Sequence, residues 1–212
     1  STGGIAVPYL LERLDVEVVK LNCEPDGNFI HDPEPLEKNL VGLSNSVVKN
    51  SANLGIAVDP DVDRLAFIDE KGTYFGEEYT LVACADYVLN KNSGPTVSNL
   101  SSTKALSELT EFRGCNYFYS AVGEVNVVEM MKNKNAVIGG EGNGGVILPS
   151  IHYGRDALIG IALFLSHLVE KSISVSNLRK QYPSYYMAKK KMNITNVSFD
   201  EVFKKLKLEF LD

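Results

Sequence analysis

Apolar residues recur at helical spacing through "GGIAVPYLLERL", which predicts a helix over residues 4–14. The next stretch, "VEVVKL" (16–21), alternates and is rich in β-branched residues, so it predicts a strand. "EPDGNF" is turn chemistry. Pro35 stands just ahead of Leu36, Leu40, Leu43 and Val47, whose spacing predicts a second helix. "NLGIAV" (53–58) and "RLAFID" (64–69) read as short apolar strands, with "DEKG" as the turn that follows.

A second rhythm begins near residue 76, where a domain boundary is placed. "GEEYTLVACADYVLN" predicts a helix, "PTVSNL" (95–100) a strand and "STKALSELTEF" a helix. "CNYFYS" (115–120) is a strand, "GEVNVVEMMKN" a helix, "NAVIGG" (135–140) a strand, and "GRDALIGIALFLSHLVEK" a long helix. From residue 95 the order is strand, helix, strand, helix, strand, loop, helix, which implies parallel pairing and α/β layering. Beyond "YPSYYM" (182–187), "KKKMNIT" is strand-like and "FDEVFKKLKLEFL" helical, the opening of a further unit.

Composition narrows the classes of function. The 212 residues carry 21 Lys and Arg against 27 Asp and Glu, a net charge of −6, which argues against nucleic acid or an anionic membrane as main partner. The run Lys189, Lys190, Lys191 is local and reads as a solvated edge. Cys23, Cys84 and Cys115 are scattered without CxxC spacing, as thiols of a reducing cytosol are, so a cytoplasmic location is expected. The longest apolar run, "ALIGIALFL", is far short of the ~20 residues that a membrane span needs. No signal peptide is visible.

The chemistry concentrates in "AVDPDVDRLAF" (57–67), where Asp59, Asp61 and Asp63 alternate and Arg64 follows. Like charges so close raise one another's pKa unless a cation neutralises them, and hard oxygen ligands suit Mg²⁺ or Ca²⁺. Pro60 stiffens the bend. An EF-hand also alternates acidic groups, and Glu70 extends that pattern. It fails here because Arg64 stands where the sharp turn needs glycine, and strands flank the loop where helices are required. The plainer alternative is an acidic surface turn, but Arg64 beside the carboxylates suits an anionic substrate such as a phosphate.

A glycine loop, "GGEGNGGVI" (139–147), formally contains G-x-G-x-x-G through Gly140, Gly142 and Gly145. A dinucleotide site needs a helix to start there, whereas "VILPS" follows, so the fingerprint is read as false. The loop is expected to bring its backbone near a ligand, with Glu141 and Asn143 as hydrogen-bonding arms for a polyhydroxyl molecule such as a sugar. "SAVGEVNV" places Ser120, Gly123 and Glu124 at a strand-to-helix junction. Arg155 and Asp156 are placed in the first turn of the long helix, where Asp156 favours the helix dipole. His31, His152 and His167 show no metal spacing.

Together these stretches resemble the α-D-phosphohexomutase family, which includes phosphoglucomutases, phosphomannomutases and phosphoglucosamine mutases. "DPDVDR" resembles its D-G-D-x-D-R metal loop, and "GEGNGG" its G-E-x-S-G-H sugar loop. "PDGNF" with "PEP" resembles its second domain, and "AVGEVNVVEMM" a segment of its third. The resemblance implies two consecutive three-layer α/β domains with mixed, largely parallel sheets. Domain II would cover residues 1–75 without its first strand, domain III residues 76–182, and residues 183–212 a linker and the start of domain IV.

It further implies that Asp59, Asp61 and Asp63 hold Mg²⁺, that Arg64 steadies the transferring phosphoryl group, and that Glu141 and Asn143 hold sugar hydroxyls. The implied reaction interconverts hexose 1-phosphate and 6-phosphate through a phosphoserine and a bisphosphate, with the phosphoglucosamine type favoured. Departures are Asn143 for Ser, Gly145 for His, Ser101 where several relatives carry Lys, and Glu124 where others have Asp, His or Lys. Sugar preference and the general acid/base therefore do not transfer. The T-x-S-H-N-P serine loop and the R-x-S-x-T-E-P phosphate loop are both missing, so the chain is expected to be an inactive fragment. A non-catalytic Mg²⁺ or sugar-phosphate binding module is the alternative. An exposed sheet edge from the missing strand also leads us to expect some self-association.

Overall fold

The computed structural model describes residues 1–187 and 198–210. Helix α1 (Gly3–Arg13) leads, then a 3₁₀ turn (Glu37–Asn39) and α2 (Val41–Lys49). Strands β1 (Leu54–Val58) and β2 (Leu65–Asp69) form an antiparallel pair in which Leu54 faces Asp69 and Val58 faces Leu65. Every residue of β2 is buried, and its side chains alternate between two cores. Leu65 and Phe67 enter the main core, while Ala66 and Ile68 pack with Leu40 and Val47 under α2.

The second part builds α3 (Glu77–Lys91), β3 (Thr96–Asn99), α4 (Ala105–Phe112), β4 (Tyr117–Ser120), α5 (Glu124–Lys134), β5 (Ile138–Glu141) and β6 (Gly145–Ile147). Helices α6 (Ala157–Lys171), α7 (Val175–Arg179) and α8 (Phe199–Phe210) follow. The sheet order is β4-β3-β5-β6, with β3 parallel to both β4 and β5, and β6 antiparallel to β5. Helix α5 covers one face through Val127 and Met131 on Val97 and Ile147. Helices α3 and α6 cover the other, with Leu81, Ile161 and Phe164 on Ile138 and Val146. This is the α/β layering expected from the strand–helix alternation.

The main core does not stop at residue 76. Phe67 of β2 stacks on Phe164 of α6 at 3.8 Å, and Phe75 meets both rings edge-on. One apolar cluster therefore runs from Val7 and Leu11 of α1 to Leu178 of α7. Among the described residues, no helix is long and apolar enough to cross a membrane.

Two local expectations change. Among the described residues, 16–21 join no sheet: Val16 and Val18 pack against the core, but no described strand pairs with them. The helix expected after Pro35 breaks at Leu40, whose φ of −103° and ψ of 12° separate the 3₁₀ turn from α2. Strand β6 and helix α7 were not anticipated, being too short to carry a period of their own. The helical tail is present as α8, while the strand-like "KKKMNIT" lies outside the described residues.

Candidate metal and sugar site

The connection between β1 and β2 carries all three aspartates. Asp59 is buried, and its Oδ1 accepts from the amides of Asp63 and Arg64, each at 3.0 Å. Val62 takes a left-handed φ of 64°, a costly choice for a β-branched residue. Its N–H donates to the Asp59 carbonyl at 3.2 Å, and its own carbonyl accepts from the amide of Ala157 at 3.0 Å. The loop is thus tied internally and to the start of α6.

One oxygen from each of Asp59, Asp61 and Asp63 lies within 4.8 Å of the others. Burial pushes the Asp63 carboxyl up to about 6; Asp59 and Asp61 add to the rise, against the pull of Arg155. Asp63 Oδ1 is buried without a hydrogen-bond partner. An all-oxygen donor set with one orphaned carboxylate oxygen fits a hard divalent cation. Among the described residues, no other group of three or more His, Cys, Asp or Glu side chains converges in this way.

Arg64 lies against the cluster, with Nε 3.5 Å from Asp59 Oδ2 and 3.8 Å from Asp63 Oδ1. Its Nη1 donates to Glu34 of the "PEP" stretch. Partial burial works against its charge, but Glu34, Asp59 and Asp63 outweigh that and raise its pKa. Tyr74 braces the same stretch by donating its hydroxyl to the Pro35 carbonyl at 3.1 Å.

The glycine loop is the turn of the β5–β6 hairpin. No helix starts there, in keeping with the rejected dinucleotide fingerprint. Two of its glycines lie against the protein itself. Gly144 has φ +87°, and a Cβ there would sit 2.2 Å from the Leu65 carbonyl oxygen. A Cβ on Gly145 would sit 2.4 Å from Arg155 Cδ.

Glu141 is buried and heavily engaged. Its Oε1 accepts from Asn99 Nδ2 at 2.7 Å and from the Gly123 amide at 3.3 Å; its Oε2 accepts from Arg155 Nη1 at 2.7 Å. Asn143 Oδ1 accepts from the Gly145 amide at 3.2 Å. Asn99 ends β3, and its Oδ1 gathers the hydroxyls of Ser101 (3.0 Å) and Ser102 (2.9 Å). From β3 the chain crosses to β4 on one side and returns to β5 on the other. The carboxyl ends of β3 and β5 therefore flank a topological switch point, where open α/β sheets place their ligands.

Two residues that carry this arrangement were given no site role by sequence reasoning. Asn99 holds Glu141 in place. Arg155 donates to Asp63 and Glu141, its Nε lies 3.4 Å from Glu124 Oε2, and its amide donates to Glu124 Oε1 at 2.9 Å. Nor is Arg155 in the first turn of the long helix. Asp156 is the N-cap of α6, accepting from the amides of Leu158 and Ile159, and Arg155 precedes it outside the helix. The "RD" pair ahead of an apolar helix was the available signal: an Asp there suits the N-cap, which puts the residue before it outside the helix.

Residues 76–186 match the family described as phosphoglucomutase/phosphomannomutase, alpha/beta/alpha domain III, and residues 1–72 match its domain II. A phosphoglucomutase/phosphomannomutase of Thermococcus kodakarensis is 35% identical over 196 residues, covering 92% of this chain and 43% of that protein. A protein of Methanosarcina barkeri named "Probable phosphoglucosamine mutase" is 34% identical over 208 residues, 98% of this chain and 47% of its own. The chain thus spans about half the length of these curated relatives. A crystal structure of a phosphoglucomutase/phosphomannomutase family protein from Burkholderia thailandensis superposes with a TM-score of 0.78 at 26% identity, over 86% of this chain and 40% of the other. The aspartate loop, the glycine hairpin and the layered sheet are therefore those of a chain that belongs to the phosphoglucomutase/phosphomannomutase family.

Proposed function

We propose that this chain supplies the metal loop and the sugar loop of a phosphohexomutase, which interconverts hexose 1-phosphate and 6-phosphate through a phosphoserine and a bisphosphate. The convergence of Asp59, Asp61 and Asp63, with Arg64 alongside, carries the reading. These three carboxylates would hold Mg²⁺, which when bound neutralises charge on a transferring phosphoryl group. Arg64, already held by Glu34, presents its guanidinium beside the same point and stabilises the equatorial phosphoryl oxygens. Asn143 and the remaining acceptor capacity of Glu141 would meet the sugar hydroxyls. The phosphoglucosamine type is favoured, since several of the similar relatives carry that name, while the Thermococcus kodakarensis phosphoglucomutase/phosphomannomutase keeps the other type as the alternative.

The serine and phosphate-clamp motifs of the family do not occur in these 212 residues, so the chain alone is expected to turn nothing over. Two measurements test the proposal. Calorimetric titration should show Mg²⁺ binding that disappears in Asp61→Asn, and the purified chain should not interconvert glucosamine 1-phosphate and 6-phosphate. Absence of Mg²⁺ binding in the parent removes the metal-loop reading. Turnover by the chain alone removes the half-enzyme reading.

A further inference from the structure

Asp63, Glu124 and Glu141 come from three separate elements, and one guanidinium reaches all of them. We propose that Arg155 is a positioning residue that fixes Asp63 and Glu141 to each other, so that the metal loop and the sugar loop bind their ligands as one unit. The proposal rests on the reading of Asp59, Asp61 and Asp63 as the cation site.

The geometry divides the oxygens of each carboxylate. Arg155 Nη2 occupies Asp63 Oδ2, while Oδ1 is buried with no hydrogen-bond partner. Asp63 is therefore held by one oxygen, while the other has no hydrogen-bond donor and only Arg64 Nε beside it, at 3.8 Å. Arg155 Nη1 takes Glu141 Oε2 while Asn99 takes Oε1, so the Glu141 plane is fixed from both sides. Glu124 receives the backbone amide of Arg155 and lies beside its Nε, which fixes the base of the side chain.

Two further contacts belong to the same device. Gly145 leaves room for the Arg155 stem to lie along the sugar loop, since any Cβ there would strike Cδ. Two residues beyond Arg155, the amide of Ala157 donates to the Val62 carbonyl inside the metal loop. The segment carrying the arginine is thus stitched to both loops. The Arg155 side chain is only 12% exposed, so solvent cannot readily substitute for it. A lysine keeps the charge but lacks the planar fork that engages two carboxylates at once.

The opposite role is also chemically sensible. In that role Arg155 is a stand-in cation that a metal must displace from Asp63, and its removal tightens metal binding. The orphaned Oδ1 favours positioning, because a cation can approach Asp63 without evicting the arginine.

Titration of the purified chain with MgCl₂ separates the two, using parent, Arg155→Lys and Arg155→Gln, with circular dichroism to check folding. Supporting-ligand substitutions cost roughly 10–100-fold in metal affinity, and a loss in that range is expected for Arg155→Gln, with a smaller one for Arg155→Lys. Hydrogen exchange supplies a readout that simple destabilisation does not reproduce. In the parent, Mg²⁺ should slow exchange at the amides of residues 142–145; in both variants that Mg²⁺-dependent protection should vanish even at saturating metal. Unchanged or tighter binding in a folded variant overturns the proposal, as does protection that persists. If Arg155→Gln does not fold, Arg155→Lys decides by the same two readouts. A parent that binds no Mg²⁺ defeats the cation-site reading and this proposal with it, whereas a binding parent with unchanged variants defeats this proposal alone.

Discussion

Gly144 and Gly27 share a left-handed φ, +87° and +82°, but differ in their surroundings. A Cβ at Gly144 would lie 2.2 Å from the Leu65 carbonyl oxygen, whereas nothing lies within 4 Å of one at Gly27. Left-handed strain alone costs about 1–2 kcal/mol. Gly27→Ala should therefore lose about 1 kcal/mol in urea denaturation, and Gly144→Ala clearly more, about 3 kcal/mol, because β2 or the hairpin must move. Equal losses would show that the contact with β2 contributes nothing.

Asp86 offers a residue-scale test in pH. It is almost fully buried and accepts from Arg113, from His167 Nε2 at 3.0 Å, from the Tyr182 hydroxyl at 3.1 Å and from Lys171 at 3.2 Å. Burial alone would raise its pKa, but the hydrogen bonds from His167 and Arg113 and the charge of Lys171 hold it well below the usual carboxylate range. A depressed folded-state pKa gives stability that is complete above the unfolded value near 3.9 and lost as pH falls below it. Asp86→Asn should cost about 3 kcal/mol at pH 7, and the gap to the parent should shrink below pH 4. A gap that stays constant from pH 7 to pH 3 would show that the charge of Asp86 is not what stabilises the fold. The Asp59, Asp61, Asp63 triplet was legible because its spacing is local. Arg155 was not, because its bond to Asp63 spans 92 positions and only the fold brings the two together.

At the scale of elements, periodicity carried the reading wherever an element satisfies its own pattern. Helices α3, α5 and α6 and the β3-α4-β4-α5-β5 order were visible because each segment is long enough, or repeated often enough, to show its period. Residues 16–21 have a strand's alternation, but a ladder also needs a neighbour, and alternation says nothing of whether one is there. Within its sheet β1 pairs only with β2 among the described residues. The N-terminus of α6 links element to site. Asp156 Oδ1 accepts from the amides of Leu158 at 2.7 Å and Ile159 at 3.1 Å, satisfying donors that the helix itself cannot. Asp156→Ala should cost about 1–2 kcal/mol. It should also loosen Arg155 next door, so hydrogen exchange at residues 142–145 should speed up beyond the change in global stability. Acceleration matching the global change alone would show that the cap supports the helix and not the site.

At the scale of the molecule, the two family segments, residues 1–72 and 76–186, are distinct in sequence but not in core. The ring stack of Phe67 on Phe164 joins β2 to α6, Phe75 seals it edge-on, and all three rings are nearly inaccessible to solvent. Neither segment can bury these rings without the other. The chain should therefore unfold in one cooperative step, with calorimetric and van't Hoff enthalpies equal. Phe164→Ala sharpens the test, because it removes a ring supplied by the second segment to the strand of the first. The loss expected for such a truncation is about 3–5 kcal/mol, a large share of an ordinary domain's total stability. If the segments form one unit, the most protected amides of β1 and β2 and those of β3 and β5 should lose the same protection free energy in hydrogen exchange. If only the amides of β3 and β5 weaken, the shared stack is a contact between independently folded parts. The metal loop, which joins β1 to β2 and is tied to the start of α6 through the Ala157 amide, would then owe its shape to docking of those parts and not to a common core.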